Sequence, residues 1–499
     1  MDRESLRQQL ETMWAEVHDL SRVVYLLEWD QETCLPSAGR PERAAQLGTV
    51  VALRHRAITQ PKLGEVIAEI LATEPADSEL AVQAARAKWE VDRAVRVPES
   101  LARAIAEAQS RGATIWKDAR RDANFAHFAP ALSTLVELRR EEADAIRPDG
   151  PRYDALLDGY EPGMTESELV PLFAHLRDAL VPLVETVREA SPIDQSPLRG
   201  DYPMAGQRSF SMAMAEACGF DFNAGRLDAA THPFCVGIGT GDTRLTWRWE
   251  DDDFRPGLFG VLHETGHGIY DQNLPAAHAR TPIGDAVSLG IHESQSRLWE
   301  NHVGRNESFW RWALPRLRET FPAADFTLDQ LWPILHVVEP SLIRVEADET
   351  TYNLHIVIRF ELERQLIGGT LEVADLPTAW NEAYHELLGI RPANDAEGVL
   401  QDIHWSAGMF GYFPTYTLGT MAAAQLYAAA DRDLGDLDVK MAQGDLAPLF
   451  DWLNDKIYRH GSRYAAGQLI ERATGKALAA DDLLDHLRRS AARAYDLTL

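Results

Sequence analysis

Along most of the chain apolar residues recur every three to four positions between short polar breaks, the signature of amphipathic helix. "MDRESLRQQLETMWAEVHDL" places Leu6, Leu10, Met13, Trp14, Val17 and Leu20 on one stripe, and it is charged from its second residue, unlike a secretory signal. Segments 80–97, 101–111, 132–146 and 166–190, rich in alanine, leucine, glutamate and arginine, predict further helices. Thr165 and Glu168 stand at capping-box spacing and mark the start of the last. Breaks fall at Pro98, at "RPDGPRYD" and at "SPIDQSPLRGDYPMAGQ"; the last, around 191–207, is the best place for a hinge or lobe boundary. One region departs from the helical period. In "THPFCVGIGTGDTRLTWRWE" two β-rich runs, 234–238 and 244–249, flank "GTGD" and predict a hairpin. Its strand edge suits pairing with an extended peptide backbone; a surface hairpin without that role is the alternative. No internal repeat stands out.

Composition narrows the partners. The 499 residues include 49 basic and 77 acidic side chains, a formal charge of −28 that argues against nucleic acid and anionic membrane as partners. Cys34, Cys218 and Cys235 are widely spaced with no C-x-x-C pair, so neither a disulfide framework nor a thiolate zinc site is implied, and a reducing cytoplasm is the expected location. No apolar run approaches the ~18 residues of a membrane span. "MAAAQLYAAA" is the nearest, short and interrupted by Gln425.

Chemistry concentrates in "VLHETGHGIYDQN". His263 and His267 are four residues apart and share a helical face, while Glu264 is rotated by about 100° and can sit beside a metal without binding it. Two imidazoles and an adjacent carboxylate are what metal-assisted hydrolysis requires. An exposed helix with two idle histidines is the competing reading. Asp252 and Asp253 are N-cap candidates, and Phe259, His263, His267 and Tyr270 form the stripe. Gly266 and Gly268 each cost about 1 kcal/mol against alanine in a helix, which points to another element packing closely there, with early fraying of the helix as the alternative.

A catalytic zinc needs a third ligand. Tyr270 and Asn273 occupy the positions where the metzincin pattern demands Gly and His, which excludes that class. Glu293 lies 26 residues after His267, on a segment that Ile291, Leu298 and Trp299 mark as helical; this suits a glutamate-zinc peptidase, with Glu300, His292 and His302 as alternatives. In "SLIRVEADETTYNLHIVIRFELERQL", Arg344, Asp348, Tyr352, His355 and Arg359 recur at helical spacing. The row reads either as a cleft lining in which arginine binds a carboxylate, or as a structural ion-pair row with Asp348 neutralising Arg344. "GVLQDIHWSAGMFGYFPTYTLG" is irregular and rich in Gly and aromatics, a site-forming loop whose Tyr412, Tyr416 and His404 are donors suited to an oxyanion, or else an aromatic packing cluster.

Together these segments resemble the carboxypeptidase Taq family of zinc metallocarboxypeptidases, the thermostable carboxypeptidase 1 type. The motifs HPF (232–234), DxRxT (242–246), HExxH (263–267), HES (292–294), IRxxAD (343–348) and GxxQDxHW (398–405) stand in order. "LLEWDQETCLPSAGRPERAAQL" and "YDALLDGYEPGMT" extend the likeness over nearly the whole chain, with Cys34 where an aromatic would be expected. The resemblance implies a mostly α, deep-cleft, neurolysin-like glutamate-zinc peptidase with a small β-hairpin beside the active-site helix, a single catalytic domain over 1–499 and a homodimer. It implies one Zn²⁺ per chain, with Co²⁺ as a substitute, and release of single C-terminal residues from peptides with broad preference and poor action on proline. Carried over, His263, His267 and Glu293 bind metal and Glu264 is the general base. Tyr416 and His404 join the catalytic set, and Arg344, Arg244, Asp242, His232 and Tyr412 the substrate-binding set, Arg344 as the reader of the terminal carboxylate. Because a chain of charge −28 repels an anionic peptide terminus at long range, a local arginine must supply the attraction. Two other readings stand beside this one. An endo-acting helical zinc oligopeptidase would share the metal site and need no carboxylate anchor; an inactive helical scaffold would lack a ligand or the base, and none is missing.

Overall fold

In the computed structural model, which describes residues 2–322 and 324–498, helices form wherever the apolar period is sustained. The chain opens with α1 (Arg3–Thr33), α2 (Arg40–Ile58), α3 (Pro61–Thr73), α4 (Glu79–Arg96), α5 (Glu99–Arg121), α6 (Phe125–Ile146), α7 (Arg152–Leu157), α8 (Glu166–Arg188) and α9 (Met204–Cys218). Strands β1 (Gly225–Ala229), β2 (Cys235–Gly239) and β3 (Asp242–Trp247) follow, then α10 (Arg255–Gln272), α11 (Leu289–Arg297), α12 (Glu307–Thr320), α13 (Leu328–Leu335), α14 (Thr351–Gly368), α15 (Leu376–Leu388) and α16 (Pro414–Leu434). Further helices complete the chain, the last at Asp481–Tyr495. Two compact units result: Met1–Val95, Gln195–Leu331 and Ala423–Leu478 form the first, and Arg96–Asp194, Trp332–Ala422 and Ala479–Leu499 the second. The passage from second to first between Asp194 and Gln195 lies in the proline-rich break after α8. Among the described residues no helix is long and apolar enough to cross a membrane.

In the first unit the N-terminal stripe does what its spacing predicts. Leu6, Leu10, Trp14 and Val17 are buried against Ile58, Leu63, Val66, Ile70, Leu80 and Ala84, with Met13 and Leu20 at the margin of that cluster; each large side chain so buried contributes about 1.5–3 kcal/mol. The predicted hairpin is present, with strands at Cys235–Gly239 and Asp242–Trp247, antiparallel. Sequence reading missed β1, which joins β3 in parallel and gives the order β1-β3-β2. Its five residues bury only Leu227 and show no alternation. The Phe234 N–H donates to Thr246 Oγ1 (2.8 Å) and Phe234 O accepts from Thr246 N (2.9 Å), so the HPF and DxRxT motifs are two halves of one hairpin.

Helix α10 starts beside Asp253, whose Oδ1 accepts from the Arg255 N–H (2.9 Å), while Asp252 pairs with Arg199. Its two odd glycines are explained by neighbours. A β-carbon on Gly266 would lie 2.3 Å from Gln295 O and 2.6 Å from Ser296 Cα on α11, and one on Gly268 would meet the Phe220 ring at 2.6 Å. Glycine therefore permits an approach no other residue allows. After α11 the chain widens into a π-helical turn, Leu298–Val303.

In the second unit α8 begins with the predicted capping box, the Thr165 N–H donating to Glu168 Oε2 (3.0 Å). The polar row 344–359 does not form one helix. Arg344 lies in a 3₁₀ turn, Arg344–Glu346, and α14 starts at Thr351. Asp348 is drawn to the open N–H groups of that helix: it accepts from Thr350 N (2.9 Å), Thr351 N (2.9 Å) and Thr351 Oγ1 (2.6 Å). The reading in which Asp348 neutralises Arg344 is corrected accordingly, because Asp348 caps a helix and the acid on Arg344 is Asp402.

Two glycines make the packing testable. Gly266→Ala should lose at least ~2 kcal/mol in chemical denaturation, since backbone would have to move. Gly48→Ala, inside α2 with nothing within 4 Å, should gain about 0.5–1 kcal/mol. Equal effects at both positions would show that the α10–α11 approach is not tight.

Candidate active site

His263, Glu264 and His267 sit in the middle of α10, and α11 carries Glu293 across it. His263 Nε2 is 3.6 Å and His267 Nε2 3.3 Å from Glu293 Oε2, and the three ligand atoms all lie within 4.8 Å of one another. Two atoms each about 2.1 Å from a tetrahedral ion stand roughly 3.4 Å apart, so these separations suit a shared metal. Two imidazoles and a carboxylate without thiolate match the donor set of catalytic zinc.

The opposite ring nitrogens are occupied. His263 Nδ1 is 2.8 Å from Glu300 Oε2, and His267 Nδ1 is 2.6 Å from His292 Nδ1, whose Nε2 lies 3.0 Å from Asp271 Oδ1. With the Nδ1 atoms engaged outward, both histidines turn Nε2 toward Glu293, the nitrogen a shared metal would take. Glu300 and His292, read from sequence as rival ligands, meet the Nδ1 atoms of His263 and His267 and lie outside the triangle. His302 stacks on Tyr427 (centroids 5.2 Å apart). Asp271 was not singled out, although it lies one helical turn after His267; Cys235 Sγ of β2 approaches its other oxygen at 3.9 Å.

Charges around the triangle are strongly biased. Burial opposes ionisation of Glu293, but Arg297, which donates to it at 2.7 Å, and the two histidines outweigh burial and hold it ionised. Burial also disfavours protonation of His263, yet Glu293 and Glu300 raise its pKa to about 9. His267 is pushed by burial down to about 4. Glu264, 6% exposed, is lifted by burial to about 7.

Two other sequence-predicted residues of this unit pair with each other. Arg244 pairs with Asp242 in bidentate fashion (2.9 and 2.8 Å) and lies 4.2 Å over the Trp29 ring. His232 is exposed in the loop before β2. Along the edge strand β2, Gly237 O already accepts from Arg22 NH1 (2.7 Å).

The second unit brings together Arg344, His404, Tyr412 and Tyr416 with Tyr352 and Arg359 of the polar row and with Gln401 and Asp402, to which sequence reading gave no role. Arg344 and Arg359, 5% and 0% exposed, both bind Asp402: Arg344 Nε to Oδ1 at 2.9 Å and Arg359 Nε to Oδ2 at 2.7 Å. Gln401 Oε1 accepts from Arg344 N (2.9 Å) and Arg359 NH2 (2.8 Å), and Arg344 NH1 donates to Tyr352 OH (2.8 Å). Among the described residues the salt bridges of both guanidiniums end on the one carboxylate of Asp402, so positive charge is in excess. The guanidinium of Arg344 lies 5.0 Å over the Tyr416 ring. His404 Nε2 is 3.2 Å from Tyr416 OH, and burial lowers its pKa to about 3, Asp402 opposing and the arginines adding, so the ring is neutral. Tyr412 packs edge-on to Tyr416 at 5.3 Å. Tyr416 belongs to the first turn of α16 rather than to the loop.

Comparison with known proteins places the chain as a whole. Residues 9–491 match the family described as carboxypeptidase Taq (M32) metallopeptidase. The chain is 43% identical to thermostable carboxypeptidase 1 of Thermus thermophilus, over 99% of this chain and 100% of that one, and 37% identical to carboxypeptidase 1 of Bacillus subtilis, over 95% and 96%. Its fold matches the crystal structure of an M32 carboxypeptidase from Deinococcus radiodurans with a TM-score of 0.96 at 37% identity, covering 99% of this chain and all of the other. Motifs, ligand triangle and full-length likeness converge on a metal-dependent hydrolase of peptides: the chain belongs to the carboxypeptidase Taq (M32) family of metallopeptidases.

Proposed function

We propose that the protein is a zinc carboxypeptidase of the glutamate-zinc type that removes single C-terminal residues from peptides, with broad side-chain preference and poor action on proline. The observation that carries this reading is the convergence of His263 Nε2, His267 Nε2 and a Glu293 oxygen. His263, His267 and Glu293 would hold a zinc ion there, which would supply Lewis-acid chemistry and an acidified water. Glu264, next in sequence to a ligand and with its pKa near 7, takes the proton of the attacking water and returns it to the departing amine. His404 and Tyr416, a neutral imidazole beside a phenol, are the donors this reading assigns to the oxygen that gains charge, and Tyr412 keeps its place in the substrate-binding set.

Arg344 receives the terminal carboxylate. Among the described residues its Nε and NH2 both face Asp402 Oδ1 at 2.9 Å and its NH1 donates to Tyr352 OH, so these partners take three of its five N–H groups and leave two for a ligand. An anchor for the terminus orients only the last peptide bond for attack and makes the enzyme an exopeptidase, whereas an endo-acting oligopeptidase has no use for it. Arg244, already paired with Asp242, is less suited to that task. Cytoplasmic location and a homodimeric assembly belong to the same proposal.

Three outcomes follow. Chelation should abolish activity and Zn²⁺ or Co²⁺ restore it, and His263→Ala or His267→Ala should lose both metal and activity; full turnover by metal-free protein would contradict this. Glu264→Gln should keep stoichiometric zinc while kcat falls at least ~10²-fold, and loss of zinc would assign Glu264 to the metal instead. Arg344→Ala should lose ~2–5 kcal/mol in kcat/KM on free-acid peptides. A C-terminally amidated peptide should be poor for the native enzyme, with the penalty largely gone in the variant; an undiminished penalty would make Arg344 structural.

A further inference from the structure

The stretch between α15 and α16 carries Gln401, Asp402, His404 and Tyr412 without forming a regular element, so something else must fix it. Helices α5 and α6 tie down three of its carbonyls: Trp116 Nε1 donates to Leu400 O (3.0 Å), Gln109 Nε2 to Ala407 O (2.8 Å) and Arg139 Nε to Gly408 O (2.7 Å). These bonds hold backbone and leave the side-chain-bearing turn at 402–405 to be set from α14. There Arg359 grips Asp402, and one helical turn further on stands Glu363, fully buried. Its Oε1 accepts from Trp405 Nε1 (2.9 Å), and its Oε2 accepts from the Gly411 N–H (3.0 Å) and from Tyr153 OH of α7 (2.9 Å).

A carboxylate in the core is a poor choice for packing alone, because its desolvation costs several kcal/mol and an apolar side chain would fill the space. Burial pushes the pKa of Glu363 up to about 7 against all three donors. What a carboxylate does, and an apolar side chain cannot, is accept at both oxygens. Here the two oxygens reach a side chain at 405 and a backbone N–H at 411. Gly411 has φ +87° and a β-carbon there would lie 2.7 Å from Leu157 N, so this end of the turn cannot shift outward. Trp405 directly follows His404 and lies three residues from Asp402, the carboxylate that Arg344 and Arg359 share.

We infer that Glu363 is a positioning residue for substrate recognition: by fastening Trp405 and Gly411 to the helix that carries Arg359, it keeps Asp402, and through it Arg344, aligned to read the terminal carboxylate of the peptide. This rests on the reading of Arg344 given above. Glu363→Gln replaces one acceptor by an NH₂ group that faces a donor, and Trp405→Phe removes the indole donor alone. Tyr153→Phe removes a bond to the same carboxylate from outside the loop. Each variant is to be compared for KM and kcat on matched free-acid and amidated peptides, for Tm and for zinc content. Glu363→Gln and Trp405→Phe should raise KM for the free acid about tenfold, the size of one lost charge-assisted hydrogen bond. They should shrink the preference for acid over amide by a similar factor, with kcat and zinc content near native, whereas Tyr153→Phe should lower Tm and leave the preference intact. The inference is overturned if the first two variants lower Tm but keep the native preference, or if Tyr153→Phe erodes it equally. Should Glu363→Gln fail to fold, Trp405→Phe against Tyr153→Phe still decides. Arg344→Ala, run in parallel, separates the two ideas: an unchanged preference there removes the anchor itself, and a preference lost there but kept in Glu363→Gln removes only the positioning role.

Discussion

Glu293 reaches the two histidines because the backbone of α11 runs over Gly266, with Gln295 O where a β-carbon would otherwise be. A helix pair at ordinary separation would hold the carboxylate short of both Nε2 atoms. The glycines at 266 and 268 weaken α10 as an isolated helix, and the contacts with α11, Phe220 and Leu245 offset that loss. The ligand triangle is thus a property of packing between two helices and a sheet, not of the HExxH segment alone.

Around that triangle the structure resolves a problem that three ligating groups would create by themselves. Imidazoles can rotate and can carry the proton on either nitrogen, and a buried carboxylate resists ionisation. Glu300 and the His292–Asp271 pair hold the rings, and Arg297 keeps Glu293 charged. The same economy of means appears in the second unit, where one carboxylate, Asp402, orients two arginines and Gln401 ties both to the loop. In each unit a flexible functional group is held by a partner distant in sequence.

That distance explains what could and could not be read from the chain. Local patterns carried far: the N-terminal stripe, the capping box at Thr165, the hairpin, and the close approach implied by Gly266 and Gly268 all rest on neighbours within a turn or two. Glu293 was legible as a candidate third ligand because it lies on a helix of its own after the second histidine, and it does meet the two imidazoles. One reading paired Arg344 with Asp348, one helical turn on, but its partner Asp402 is 58 residues away, and Asp348 satisfies the start of α14 instead. Glu300 and His292 have the side chains of ligands, and spacing cannot say which ring nitrogen a neighbour will meet. Strand β1 pairs in parallel through a five-residue segment with a single buried side chain, too short for periodicity to register. Glu363 was hidden for the opposite reason: it stands in a helix that is buried nearly all round, where a polar residue gives no facial signal.

The central claim, that two imidazole Nε2 atoms and Glu293 form the metal site, is tested most directly by locating zinc. An anomalous difference map at the zinc edge, from crystals of the zinc-loaded protein, should show one strong peak per chain. It should lie ~2.0–2.2 Å from His263 Nε2, His267 Nε2 and a Glu293 oxygen, with the Nδ1 atoms still against Glu300 and His292. A peak bound by Glu300 or His292 in place of Glu293, one in contact with Cys235 Sγ, or none at the triangle would contradict the account.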